Sequence, residues 1–254
     1  MISRLGRGSE QVASFVGGVF IMILNILRNL TRLPKSLGLI VEQMMSMGVA
    51  SLPIVVLTSV FIGMVTTFQA QFQAGEYVPT VYISMSVSKA IMIELGPIMT
   101  GLVVAGRVGS SIAAELGTMR VTEQIDALET LAIDPVGYLV LPRFVSGIVM
   151  LPMLVIISEA VAIAGGLLVA VLGLDIPLHT FISGLRIHFV ARELFGGLLK
   201  AFFFGGIIAV MGSYHGFETK GGAEGVGKAT TRAVVSSSVL ILVSNYLIAR
   251  LVFR

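Results

Sequence analysis

The sequence predicts an all-α polytopic membrane protein: an N-terminal interfacial helix, five transmembrane helices, and a cytoplasmic coupling helix between the second and third. Three observations carry this. Hydrophobic residues make up 56% of the chain and charged residues only 12%, the mean hydropathy is +0.97, and the basic residues gather predominantly on one side of the apolar stretches. The formal net charge is only +3 and its cations flank apolar runs, so membrane topology accounts for them and no nucleic-acid partner is expected. The absence of cysteine excludes a disulfide framework, a thiolate metal site and a cysteine nucleophile.

Residues 11–33 hold roughly sixteen apolar positions between arginines, short of the ~20 that cross a bilayer. Phe15, Val19, Ile23, Ile26 and Leu30 recur at helical spacing, and Arg28 and Arg32 fall one turn apart, which suits a helix lying at an anionic leaflet. Making this stretch a sixth span would place Arg4 and Arg7 opposite Arg28, Arg32 and Lys35, against the positive-inside rule. Arg4 and Arg7 also resemble the flank of a signal peptide. Residues 25–30 offer no small-residue cleavage site, so the segment is expected to be retained.

The first span is expected at about residues 50–68, ending in the amide-rich stretch Gln69, Gln71 and Gln73 before an outer loop with Gly75, Glu76 and Pro79. The second, residues 81–105, returns inside. A long apolar region, residues 138–174, leaves again and must tilt, kink at Pro142 or Pro152, or protrude. Residues 175–193 form a polar outer segment with His179, Arg186, His188 and Arg192. The fourth span, residues 194–214, leads into a glycine-rich inner loop, HGFETKGGAEGVGKATTR, and the fifth covers residues 233–252. This drawing puts Arg4, Arg7, Arg28, Arg32, Lys35, Arg107, Arg120, Arg143, Lys220, Lys228 and Arg232 inside and only Arg186, Arg192, Arg250 and Arg254 outside. The N-terminus is then cytoplasmic and the C-terminus external.

The coupling element follows from residues 94–143, ELGPIMTGLVVAGRVGSSIAAELGTMRVTEQIDALETLAIDPVGYLVLPR. The chain is expected to leave the membrane at AGRVGSS and to form a short amphipathic helix over residues 121–132. Val121, Ile125, Leu128 and Ala132 share one face while Glu123, Gln124, Asp126 and Glu129 point elsewhere. Asp134-Pro135 stops it. Such a helix between two spans is a handle for a soluble partner.

Four ionisable residues, Lys89, Glu94, Glu159 and Lys200, fall within predicted spans, where each costs roughly 2.5–3.5 kcal/mol if it faces lipid. They are expected to face protein or a wet cavity, either as part of a transport path or as helix-packing pairs. Phe68, Gln69, Phe72 and Tyr77 form an aromatic and amide cluster at the outer end of the first span, either an interfacial belt or a cavity lining. His179, His188 and His215 lack metal-ligand spacing and are read as solvated loop residues. Gly222, Gly227 and Lys228 satisfy most of a Walker A pattern, but Ala229 stands where magnesium needs a hydroxyl and no strand precedes the loop. Nucleotide binding by this chain is not expected, nor is any bound cofactor or metal.

The motifs ELGP, AGR.GS, AELGTM, TEQIDAL and DP, together with GAEGVGKATTRAV, closely resemble the MlaE-type permeases, the membrane subunits of MCE-associated ABC lipid transporters. The resemblance covers nearly the whole chain and is weakest before Leu37. It implies a single ABC permease domain, residues 1–254, with an interfacial region (1–36) and a transmembrane region (37–254), in a bacterial inner membrane with a periplasmic C-terminus. It further implies a non-catalytic homodimer moving phospholipid to support outer-membrane lipid asymmetry. The implied partners are a cytoplasmic ATPase dimer carrying ATP and magnesium, a STAS-type small subunit and a hexameric periplasmic MCE protein.

By the same resemblance, Phe68, Gln69, Phe72, Tyr77, Lys89, Glu94, Glu159 and Lys200 line the lipid path, and Arg120, Glu123, Asp126, Leu128 and Glu129 couple to the ATPase. Family members often carry an arginine directly before the glutamate of ELGP, where this chain has Ile93; Lys89, one turn earlier, is a substitute cation, and Lys200, which matches a basic position of the family, is the other candidate to compensate Glu94. The rival class is an ion-coupled secondary transporter in which Glu94, Glu159, Lys89 and Lys200 relay protons.

Overall fold

Hydrophobic runs punctuated by proline and glycine become helices joined by short turns in the computed structural model, which describes the backbone of residues 2–75, 78–187 and 189–252 and side chains from residue 13 onward except 32 and 35. Every regular element among the described residues is helical. Helix α1 (Ile2–Asn29) tightens into a 3-10 segment, Leu30–Ser36, that contains Pro34. Helices α2 (Leu37–Met47) and α3 (Leu52–Ala74) are joined through a 3-10 turn at Val49–Ser51, and Gly75 ends the run at φ 60°, a conformation open to glycine because it lacks Cβ.

Helices α4 (Thr80–Ala90), α5 (Gly96–Val104) and α6 (Ser110–Val121) form one continuous helical run through two π-turns, Ile91–Leu95 and Ala105–Gly109. After the short α7 (Gln124–Thr130), a π-turn at Val136–Val140 opens α8 (Leu141–Gly173). Helices α9 (Leu178–Ile187), α10 (Ala191–Phe217) and α11 (Gly222–Val252) complete the chain. Among the described residues, five segments are long and apolar enough to cross a membrane: Leu37–Ala74, Thr80–Val121, Val136–Gly173, Ala191–Phe217 and Gly222–Val252, with Ala13–Asn29 a shorter apolar helix.

The boundaries differ from the sequence expectation in four places. Helix α3 runs past the expected end at residue 68 and carries Gln69, Gln71 and Gln73, ending at Ala74 before Gly75. The helix does not break at AGRVGSS; a π-turn absorbs it and the run continues to Val121. The outer polar segment contains α9, whose apolar residues give it a packing face. Most of the expected glycine-rich inner loop is α11: only residues 218–221 are non-helical, Gly221 and Gly222 supply the positive φ values of the turn, and Lys228 bonds Glu224 one helical turn away.

The chain forms two compact units. The first comprises Met1–Met45, Ala105–Gly147 and Gly206–Val239. Within it, Met22 and Ile26 of α1 are buried, and Phe15 meets the Tyr214 ring edge-on at 5.3 Å and stacks on His215 at 5.8 Å. His215 is therefore a half-buried helical residue, hydrogen-bonded with Ser236 at 3.0 Å, rather than a solvated loop histidine. Arg143, buried, bonds Glu115 at 2.9 Å and the Leu139 carbonyl at 2.7 Å, tying α8 to α6.

The second unit comprises Ser46–Val104, Ile148–Gly205 and Leu240–Arg254. Its tightest seam joins α3 to α8. A Cβ on Gly63 would collide with the Ala162 carbonyl, and one on Gly165 would lie 2.6 Å from the Val60 carbonyl, while Ser59 bonds Ser158 at 2.8 Å across the seam. Among apolar surroundings, such close small-residue contact gains packing that bulkier side chains would prevent. Ile83, Val87 and Ile91 pack on Ala162, and wholly buried Phe181 anchors α9 beside Ala170 and Ile176.

Candidate functional site

Polar side chains placed in an apolar helix must find partners within the protein, and those of the second unit do so around the π-turn Ile91–Leu95. There the Gly96 N–H bonds the Ile91 carbonyl, five residues back. Lys200 of α10 donates to the Ile93 carbonyl and to Glu94 Oε1, both at 2.7 Å. Asn245 of α11 donates to Glu94 Oε2 at 2.8 Å. The Lys200 side chain is 0% accessible and that of Glu94 38%. One ionic group thus draws three helical segments together, with a carboxylate edge still reachable.

Lys89 is not the cation of Glu94. It pairs instead with Glu193 of α10 at 2.9 Å, the two side chains being 34% and 14% accessible. The lysine nearest along the helix points to the first turn of α10, and Lys200, two turns further along α10, reaches Glu94.

Glu159 is enclosed rather than set on an open path. It is 3% accessible, a Cβ on Gly96 would lie 2.8 Å from its Cγ, and one on Gly197 would lie 3.4 Å from its Oε1. Its Oε1 has no hydrogen-bond partner among the described residues. Two glycines make the notch that this carboxyl occupies.

The aromatic and amide cluster does not assemble on one face. Phe68 and Phe72 are exposed on α3, whereas Gln69 lines a groove of about 310 Å³ between α3 and α4 with Val65, Thr66, Gln73, Ser86 and Val87. Phe68 and Phe72, four residues apart, share one face of α3, and Gln69 and Gln73, each one residue further on, share the next. Tyr77 lies outside the described residues.

Between the second and third spans, Arg120 and Asp126 form an ion pair. Glu123 and Glu129 are exposed, Leu128 is half-buried and Ile125 is buried. The expected four-residue apolar face is narrower than its pattern: Val121 and Ala132 are exposed, because Glu123 (φ 60°) and Ala132 (φ 57°) interrupt the helix at either side. Asp134 stops the segment by accepting the Val136 N–H at 3.1 Å through Oδ1, while its Oδ2 accepts from Asn29 Nδ2 at 2.6 Å.

Asn245, Glu193 and Asn29 escape a search restricted to ionisable residues inside predicted spans. Asn245 carries a usable signal, an amide in an apolar run. Glu193 sits at a helix start and Asn29 at a helix end, where polar residues are unremarkable by pattern alone.

Five apolar helical segments with ion pairs held among them define a multi-pass α-helical membrane protein. The chain belongs to the MlaE permease family, whose model, permease MlaE, matches residues 40–251. It is 41% identical over 250 residues to a probable ABC transporter permease protein of Rickettsia bellii, covering 98% of this chain and 96% of the relative. A probable ABC transporter permease protein of Synechocystis is 42% identical over 213 residues, 84% of this chain and 81% of the relative. The intermembrane phospholipid transport system permease protein MlaE of Haemophilus influenzae is 32% identical over 253 residues, 99% and 97% of the two chains.

Proposed function

We propose that this chain is the permease subunit of an ABC transporter that moves phospholipid between the bacterial inner membrane and a periplasmic MCE partner, supporting outer-membrane lipid asymmetry. The observation that carries the reading is the Glu94–Lys200–Asn245 network, a partly accessible polar station inside apolar spans, in a chain similar over nearly its whole length to a protein named as a phospholipid transport permease. A lipid needs such a station for its head group and apolar surface for its chains. Phe68 and Phe72 meet acyl chains along a path at a homodimer interface, and Gln69, Lys89 and Glu94 face the head-group side, with the enclosed Lys200 holding Glu94 in place.

The chain itself is non-catalytic and binds no cofactor. ATP and magnesium belong to a cytoplasmic ATPase dimer that docks on Arg120, Glu123, Asp126, Leu128 and Glu129, with a STAS-type small subunit beside it and a hexameric MCE protein on the periplasmic side. The N-terminus is cytoplasmic and the C-terminus periplasmic.

The test is reconstitution of the tagged chain with the proteins that co-purify in mild detergent. Fluorescent phospholipid should move in the presence of ATP and stop when the ATPase is stripped away. Movement driven by a proton gradient through the chain alone would establish the ion-coupled alternative instead.

A further inference from the structure

The π-turn Ile91–Leu95 is followed at once by Gly96 and Pro97, and together they leave two backbone carbonyls without a helical donor. A carbonyl in an α-helix accepts from the N–H four residues on. For Ile93 that residue is Pro97, which has no N–H, and Lys200 supplies the bond instead at 2.7 Å. For Met92 it is Gly96, whose N–H goes to Ile91, and the residue after Gly96 is again the proline. Helix α10 covers this second carbonyl, since a Cβ on Gly197 would lie 2.4 Å from the Met92 oxygen. A backbone oxygen covered in this way requires a donor from elsewhere.

Glu159 of α8 comes to the same place. The Gly197 Cβ would lie 3.4 Å from its Oε1; a Cβ on Gly96 would lie 3.2 Å from Oε1 and 2.9 Å from the Ile91 oxygen. The residue is 3% accessible, and Oε1 has no hydrogen-bond partner among the described residues. Helix α3, packed on α8, carries no ionisable residue. The ionisable side chains to either side of Met92 and Gly197 are joined to one another, Lys89 to Glu193 and Lys200 to Glu94. The carboxylate form and the carbonyls are acceptors only, so a hydrogen on one of these oxygens reconciles them.

We propose that Glu159 is a resident proton site: a neutral carboxylic acid whose hydroxyl donates to the Met92 carbonyl and so holds the π-turn that presents Glu94 to Lys200. Glu159 is a positioning residue in this arrangement, and Gly96 and Gly197 leave it the room. Each carbonyl deprived of its donor is then capped from another helix, Ile93 by Lys200 and Met92 by Glu159. The enclosed proton serves packing, in contrast to the proton relay of an ion-coupled carrier.

Infrared spectroscopy of the purified full chain in mild detergent tests this, because exposed carboxyls are ionised at about pH 7. Wild type should retain a protonated-carboxyl C=O band at that pH, and Glu159→Gln should lose it. The amide of Glu159→Gln keeps an N–H donor for Met92, so its melting temperature should stay within about 3 °C of wild type, whereas Glu159→Met, with no donor, should melt about 6 °C lower. A wild-type spectrum without the band, as a metal cation held in place of the proton would give, overturns the proton site, and so does a band that survives in Glu159→Gln. Equal melting temperatures for the Gln and Met variants overturn the donation to Met92.

Discussion

Lys200 and Glu94 meet at 2.7 Å with opposite exposure, the lysine wholly enclosed and the carboxylate open on one edge. The lysine also holds the Ile93 carbonyl within the π-turn, so the pair joins backbone irregularity to side-chain charge. Breaking a buried pair from its enclosed member leaves several groups unsatisfied at once. Lys200→Met is expected to destabilise the protein by about 3 kcal/mol, measured by denaturant titration in mild detergent. The double variant Glu94→Gln/Lys200→Met should recover part of that loss, because it removes the stranded charge; a double variant no better than the single one would show that the pair is not coupled.

Asn29 of α1 is buried and donates to Asp134, immediately after the segment between the second and third spans. Asn29→Ala should cost about 2 kcal/mol by leaving a carboxylate oxygen short of its donor. Hydrogen exchange of residues 124–136 should rise while that of α11 stays unchanged. Uniformly unchanged exchange would mean that Asp134 holds its turn without α1.

The segment from Arg120 to Glu129 presents exposed charges on one side and the buried Ile125 on the other. Asp126 is exposed and its pair with Arg120 contributes no more than about 1 kcal/mol, so Asp126→Lys should leave stability nearly unchanged and reduce association with the proposed ATPase partner. Ile125→Asp should instead lower the yield of folded chain, because Ile125 is buried. Quantitative pull-down beside thermal unfolding distinguishes the two; an Asp126→Lys chain that keeps its ATPase would show this segment to be a connecting loop.

Glycine tolerance should follow the helix seams. Gly63→Val drives a side chain into the Ala162 backbone and is expected to cost more than about 3 kcal/mol. Gly38, on α2, has nothing within 4 Å of an added Cβ, so Gly38→Ala should be neutral or stabilising by up to about 1 kcal/mol. Equal melting temperatures for the two variants would contradict the close α3–α8 contact.

The number of spans, their helical state and the separate character of the N-terminal helix were all legible in the amino-acid sequence. A bilayer demands ~20 apolar residues per crossing and backbone hydrogen bonds closed within each segment, so local composition determines these features. The family was legible for a related reason: ELGP, AELGTM and TEQIDAL are contiguous words. Helix ends were less legible, because π-turns at 105–109 and 136–140 continue helices through glycines that a local reading takes as breaks.

The sequence offered Lys89 and Lys200 as partners of Glu94, and tertiary structure chose between them. Proximity along the chain favours Lys89 for Glu94, yet the bond goes to Lys200, 106 residues away, and Lys89 turns to Glu193. The same holds for Glu159, whose polarity suggests a wet path but whose place is a notch made by Gly96 and Gly197. Charge and hydropathy are properties of single residues and their neighbours, whereas the direction of a side chain depends on which helix lies beside it and at what rotation. One extra residue in a π-turn changes that rotation, and no local pattern of apolar and polar positions records it.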